Sequence, residues 1–181
     1  MKQTPFNPAA KAAYQLQNYT NHEPIVGVEI KNLKRFNDDG GSFIELSRLA
    51  QGLLQEFESF EAKQINYSEM DPGVIKAFHL HPHQTDVWFV PPSDKMLVIL
   101  IDLRQGSATE NQLMRLVTGD MKPYLLRIPP GVAHGVRNIA STQGRIIYFV
   151  DHQFDPDPAK SEEGRLPWDF KGAEIWEIQK G

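Results

Sequence analysis

The stretch Gly73–Asp86, GVIKAFHLHPHQTD, places His79, His81 and His83 close together in a chain that has only 6 histidines. Its β-branched and aromatic residues lie between the turn formers Asp71–Gly73 and Pro82, which predicts a strand over Val74–His81. Side chains along a strand alternate faces, so His79 and His81 share one face with Ile75 and Ala77, and Phe78 and Leu80 take the other. His83 continues the parity, although Pro82 closes the strand before it. Two imidazoles two residues apart can grip one metal ion, provided each ring's second nitrogen is held by another group. The competing reading is a pair of solvent-facing histidines, or a core histidine with a satisfied neighbour.

Outward from this stretch the chain keeps the same texture. Ile25–Ile30, Phe43–Leu46, Gln64–Tyr67, Val87–Val90, Met96–Leu103, Tyr124–Ile128, Val136–Ile139 and Ile146–Val150 are short, apolar and bounded by turn formers. Pro8–Gln17 and Ser47–Phe57 carry helical pattern; in the second, Leu49, Leu53, Leu54 and Phe57 suit one helix face. The tail from Asp155 wraps the outside before a last strand at Ala173–Ile178. Many short strands without alternating helices predict an all-β antiparallel jelly-roll barrel with two or three short helices. The whole of 1–181 reads as one domain, with residues 1–24 as an N-terminal arm.

Composition narrows the function. The chain has 181 residues, no cysteine, and 19 Lys+Arg against 23 Asp+Glu, a formal net charge of −4. Thiolate nucleophiles, iron–sulfur clusters and cysteine zinc sites are excluded. The basic face that nucleic acid needs is not expected. No apolar run approaches the roughly 20 residues of a membrane helix, and the first residues lack the apolar segment of a secretory signal. A cytoplasmic protein with no nucleic-acid or membrane partner is expected.

A second segment completes the first: Ile128-Pro-Pro-Gly-Val-Ala-His134-Gly-Val-Arg-Asn138. Pro129 and Gly131 turn the chain into a strand, with His134 just inside. Gly73, His79, His81 and Asp86, taken with Pro129, Gly131, His134 and Asn138, resemble the two-part metal-site pattern of the cupin superfamily. Asp86 stands where many metal cupins have glutamate. Three imidazoles and a carboxylate suit Fe, Mn, Ni or Zn as one divalent ion, with positions left open for substrate.

A narrower resemblance runs from about Arg35 to Glu177. Phe36–Glu45 (FNDDGGSFIE), Gln64–Ser68 (QINYS), Gly73–His79, Asp102–Thr109 (DLRQGSAT), Ile128–Gly135 and Trp168-Asp169 are similar to segments of the dTDP-4-dehydrorhamnose 3,5-epimerase (RmlC-type) family. The resemblance implies a cupin barrel that dimerises, needs no cofactor, and epimerises a keto-sugar, free or nucleotide-linked, by removing a proton alpha to the carbonyl. It makes His79 the base and Lys76, in place of the family's arginine, a catalytic cation. Lys76 lies three residues from His79, so both reach one site only across a bulge or a strong local twist. Glu45, Asn66, Arg104 and His134 become substrate-binding candidates.

The chain departs from the family at several positions. Gly40 replaces a substrate-binding arginine, and Gln84–Val90 holds no lysine. The expected tyrosine falls on Gln153 or Phe154, neither of which is an acid, and the chain ends before the segment carrying the histidine's carboxylate partner. His81 stands where the family has an uncharged residue. Three classes follow: an RmlC-type epimerase or isomerase; a metal-dependent cupin enzyme, such as a dioxygenase or isomerase, built on His79, His81, Asp86 and His134; and a non-catalytic sugar-binding cupin.

The remaining polar candidates have plainer readings. Arg104 could clamp a phosphate, but pairing with Asp102 or Glu110 accounts for it. Tyr148 and Trp88, on apolar strands, read as core. Glu56, Glu58 and Glu61 read as a solvated face, and Ser68 lacks the partners of a nucleophilic triad.

Overall fold

Burial along Lys95–Asp102 shows how the molecule is layered. Met96, Val98 and Leu100 face one side and Leu97, Ile99 and Ile101 the other, yet all six are buried. Such a strand must be covered on both faces.

The computed structural model describes residues 4–16, 24–57 and 59–179. Helix α1 (Pro8–Ala13) is followed by strands β1 (Glu29–Asn32), β2 (Arg35–Asp38), β3 (Gly41–Ile44), β4 (Leu49–Ala50), β5 (Leu53–Leu54), β6 (Gln64–Met70) and β7 (Ile75–Leu80). Then come β8 (Asp86–Phe89), β9 (Lys95–Asp102), β10 (Leu113–Gly119), β11 (Tyr124–Ile128), β12 (Val132–Asn138), β13 (Gly144–Val150), β14 (Gly164–Arg165) and a 3-10 turn at Ala173–Trp176. Two five-stranded antiparallel sheets form, in the orders β1-β11-β8-β13-β6 and β10-β9-β12-β7-β14. This is the expected jelly roll, here with one short α-helix and one 3-10 turn among the described residues.

Three apolar layers hold it. Val98, Leu100, Val136, Leu126, Ile128 and Trp88 fill the space between the sheets. Val87, Phe89, Leu125 and Phe149 on the outside of the first sheet are covered by Leu54, Phe57 and Phe60. Phe78, Leu97, Ile99, Ile101 and Ala133 on the outside of the second are covered by Trp176. Each fully buried Val, Leu, Ile or Phe among them contributes roughly 1.5–3 kcal/mol.

Several expectations from the sequence need correction. Ser47–Phe57 is not a helix: β4 and β5 form a hairpin across Gln51 (φ 54°) and Gly52 (φ 89°). Positive φ at both central residues is the geometry of a two-residue hairpin turn. Leu54 and Phe57 are buried while Leu49 and Leu53 are exposed, so the four do not share a face. Ala173–Ile178 is not a strand, because the chain coils to seat Trp176 against Phe78, with ring centroids 5.3 Å apart. The Pro8–Gln17 helix shortens to Pro8–Ala13, capped by Asn7 accepting from the Ala10 amide; Gln17 and Glu58 lie outside the described residues. The strand placed at Ile25–Ile30 begins only at Glu29. Strands β2, β10 and β14 were not expected.

Of the two devices that could bring Lys76 and His79 to one site, β7 carries the bulge. His134 pairs with His79 and Val136 with Lys76, two steps against three, so β7 carries the extra residue. Parity therefore changes within the strand. Ile75 and Ala77 pack against the outer cluster with Phe78 and also line the cavity that His79 faces. Gly135, opposite, has no room for a side chain: a Cβ there would lie 2.4 Å from that of Ala77.

Candidate functional site

The bulge brings Lys76, His79 and His81 to a cavity of about 460 Å³ between the two sheets. β7, the residue just after it and β12 supply His79, His81 and His134 on one side; β8 and β13 supply Asp86, Trp88 and Tyr148 from the other sheet. The turn into β12 is tied to the first histidine segment, because the Gly131 amide donates to the His81 carbonyl at 2.9 Å. Gly131 holds φ 75°, a left-handed conformation that favours glycine.

The three imidazoles converge, with ring centroids 5.1 Å apart for His81–His134, 5.9 Å for His79–His134 and 6.3 Å for His79–His81. Asp86 lies 3.9 Å from His81 Nε2 and 3.6 Å from His134 Nε2. Its oxygens accept from Gln84 Nε2 at 2.8 Å and Trp88 Nε1 at 2.9 Å. The outer nitrogens are also held: His81 Nδ1 bonds the Glu162 carbonyl, and His134 Nδ1 the Val132 carbonyl at 3.1 Å.

His79 stands apart from this group. Its Nδ1 faces Glu163 Oε2 at 3.8 Å. Burial, reinforced by the neighbouring His134 and Arg165, pushes its pKa down to about 4, against the opposing pull of Glu163. Burial also lowers the pKa of His134. The ligand atoms that cluster within 4.8 Å of one another are those of His81, Asp86 and His134, so the four-residue metal set expected from sequence contracts to three.

Other candidates divide. Lys76 lines the cavity and donates to Ser68 Oγ at 2.9 Å and to the Glu69 carbonyl at 2.8 Å. Asn66, opposite Tyr148 on β6, accepts from Gln64 and does not line the cavity. Glu45 pairs with Arg48, away from the cavity. Arg104 is committed to Asp102, as the plainer reading held. Asn138 bonds the Met70 and Thr142 carbonyls and is structural.

Sequence reasoning assigned Tyr148 to the core and passed over Glu163 and Arg165, yet all three line the cavity. Burial raises the Tyr148 pKa, helped by Asp86 and Glu163, so the phenol keeps its proton at neutral pH. Gln153 and Phe154, where a tyrosine was sought, do not line this cavity, so their identity does not decide whether it holds an acid. Strand parity could have found Tyr148, which shares the inward face of β13 with Ile146. No local pattern announced Glu163 or Arg165. A larger groove of about 720 Å³ runs along Leu97, Leu113, Arg115 and Val117, but its polar lining of Lys95, Gln112, Arg115 and Gln179 brings no base and acid together.

Comparison with known proteins agrees with this geometry. Residues 22–176 match the family model of dTDP-4-dehydrorhamnose 3,5-epimerase. The chain is 43% identical over 145 residues to the spore coat polysaccharide biosynthesis protein SpsL of Bacillus subtilis, covering 80% of this chain and 91% of that one. It is 28% identical to the probable low-salt glycan biosynthesis epimerase Agl13 of Haloferax volcanii, covering 80% and 89%. The crystal structure of a dTDP sugar isomerase from Desulfovibrio desulfuricans G20 superposes with a TM-score of 0.71 at 26% identity, covering 81% and 88%. With its two-sheet barrel and histidine-lined cavity, the chain belongs to the dTDP-4-dehydrorhamnose 3,5-epimerase family, as an RmlC-like cupin of the sugar epimerase or isomerase class.

Proposed function

We propose that the cavity inverts a carbon alpha to the carbonyl of a nucleotide-linked 4-keto-sugar by acid–base chemistry, with His79 as base and Tyr148 as acid. The observation that carries this reading is that an imidazole and a protonated phenol, held on opposed sheets, line the same cavity. Inversion needs a proton removed from one face of a carbon and returned to the other.

The neutral His79 imidazole takes the alpha proton, and the C–H electron pair moves onto the carbonyl oxygen to form an enolate. Tyr148 donates its O–H proton to the same carbon from the opposite side, and the enolate collapses to the inverted ketone. Proton exchange with solvent restores both groups. A positioned base contributes on the order of 10²–10⁴ in rate. Lys76 and Arg165 line the same cavity and would supply positive charge to the developing enolate oxygen and to a phosphorylated substrate.

A sugar-nucleotide substrate is supported by relatives, among them an epimerase from Legionella pneumophila solved in complex with dTDP-4-keto-L-rhamnose. A homodimer is supported by edge strand β6, which exposes Ile65 and Tyr67. No helix among the described residues is long and apolar enough to cross a membrane, which accords with the proposed cytoplasmic setting. The test is to supply a dTDP-4-keto-6-deoxy-sugar and follow inversion by proton NMR. Turnover that His79→Asn abolishes supports the reading; turnover unaffected by that change overturns it.

A further inference from the structure

We propose that Trp176 is a positioning residue for His79, acting through the β7 bulge from the outer face of the second sheet. The inference rests on the reading of His79 as the base, and concerns what holds that base in place.

The bulge is the weak point of the site. Ala77 and Phe78 stand opposite the single residue Gly135, so the ladder between β7 and β12 is interrupted next to His79. A contact from outside the ladder must fix the extra residue, because His79 follows it directly in the chain. Trp176 makes that contact. Its ring centroid lies 5.3 Å from that of Phe78, and both side chains are buried. The ring also reaches over Gly135, where an added Cβ would lie 2.9 Å from Trp176 Cη2 and 2.4 Å from the Ala77 Cβ. The indole thus lies against both strands of the bulge.

The indole is registered as well as buried. Trp176 Nε1 donates to the Trp168 carbonyl at 2.8 Å, and Arg137 on β12 donates to the Trp176 carbonyl at 2.6 Å. Arg115 on β10 donates to the Ile175 and Glu177 carbonyls on either side. Apolar burial is non-directional, whereas hydrogen bonds are directional, so these bonds set where the ring sits. The same C-terminal segment is tied to the bulge a second time. Phe78 donates its amide to the Leu166 carbonyl at 3.1 Å, and Leu166 returns the bond at 2.9 Å. A close-packed interior transmits strain, so a shift of Phe78 on the outer face moves the backbone that carries His79 into the cavity. A misplacement of about 1 Å is enough to cost roughly 10²-fold in rate.

The test uses full-length protein carrying 15N-labelled histidine. The His79 ring signals are assigned by their loss in His79→Asn, and circular dichroism shows which variants fold. Trp176→Ala should shift or broaden the His79 ring signals, leave those of His152 in place, and lower kcat by up to about 10²-fold with KM little changed. Trp176→Phe keeps an aromatic ring against Phe78 and should restore most of both. Trp176→Leu serves if the alanine variant does not fold. Ile101→Ala is the control: it opens the same apolar layer on β9, with β12 between it and β7. It should leave the His79 signals and kcat near wild type. His79 signals that stay unchanged in every folded Trp176 variant overturn the proposal. So do an equal shift and an equal loss of kcat in Ile101→Ala. Shifted signals in a protein that turns over no sugar support the positioning role and count against the epimerase reading; turnover with unshifted signals does the reverse.

Discussion

Asp86 and Asp102 are both buried carboxylates on barrel strands, 3% and 0% exposed, yet the protein treats them differently. Asp102 is saturated. Arg104 donates through Nε and Nη2, each at 2.8 Å, and through its amide, while Ser107 and Thr109 each donate a hydroxyl at 2.6 Å. These bonds hold the Asp102 carboxyl well below the usual carboxylate range, with Arg104 the largest cause. Asp86 receives two neutral donors and then faces two imidazole nitrogens beyond hydrogen-bond reach. A buried carboxylate whose bonds are complete belongs to the scaffold. One with unfinished neighbours at a cavity wall is a candidate for the chemistry.

The contrast can be broken by mutation. The largest effects should fall on activity without touching the fold: His79→Asn and Tyr148→Phe each lower kcat by about 10²–10⁴, while urea midpoints stay near wild type. A matching loss of stability would make these residues structural. Asp102→Ala should do the reverse, costing about 3–5 kcal/mol by urea unfolding, because the Arg104 charge loses its partner. A cost below 1 kcal/mol would show that saturation carries no stability here.

Smaller effects sharpen the picture. Gly135→Ala should cost about 1–3 kcal/mol, since the new methyl meets Ala77 and Trp176. A neutral result would mean that the β7 bulge yields easily. The smallest effect concerns pH. The folded pKa of Asp102 is depressed below its ordinary 3.8, so its contribution is complete above about pH 5 and lost as acid approaches the folded value. The stability difference between wild type and Asp102→Asn, by urea titration, should therefore narrow from pH 5 towards pH 2. A constant difference would detach that stability from the ionised carboxylate.

The sequence made much of this legible, for identifiable reasons. Gly73–Asp86 and Ile128–Asn138 carry local spacing, and spacing survives folding, so His79, His81, Asp86 and His134 line one cavity, although His79 falls outside the cluster that the other three make. The need for a bulge or a strong local twist was legible too, because Lys76 and His79 could not otherwise share a site, and a bulge is what β7 carries. The Ser47–Phe57 hairpin was hidden because its apolar residues mimic a helix period, while Gln51 and Gly52 set the turn. Tyr148 was hidden by its apolar neighbours, which look the same whether the residue fills a core or lines a cavity. Glu163 and Arg165 reach the site only because β14 pairs with β7 across more than eighty residues of chain, a long-range contact without a local signature.

The central claim is that His79 and Tyr148 act on opposite faces of one carbon. Its most direct test is exchange in heavy water with a dTDP-4-keto-6-deoxy-sugar, following deuterium at C3 and C5 together with the configuration of each carbon. Wild type should incorporate deuterium with inversion. His79→Asn should do neither, and Tyr148→Phe should exchange with retained configuration, because the base remains and the opposing acid is gone. Inversion by Tyr148→Phe at the wild-type rate would contradict the account.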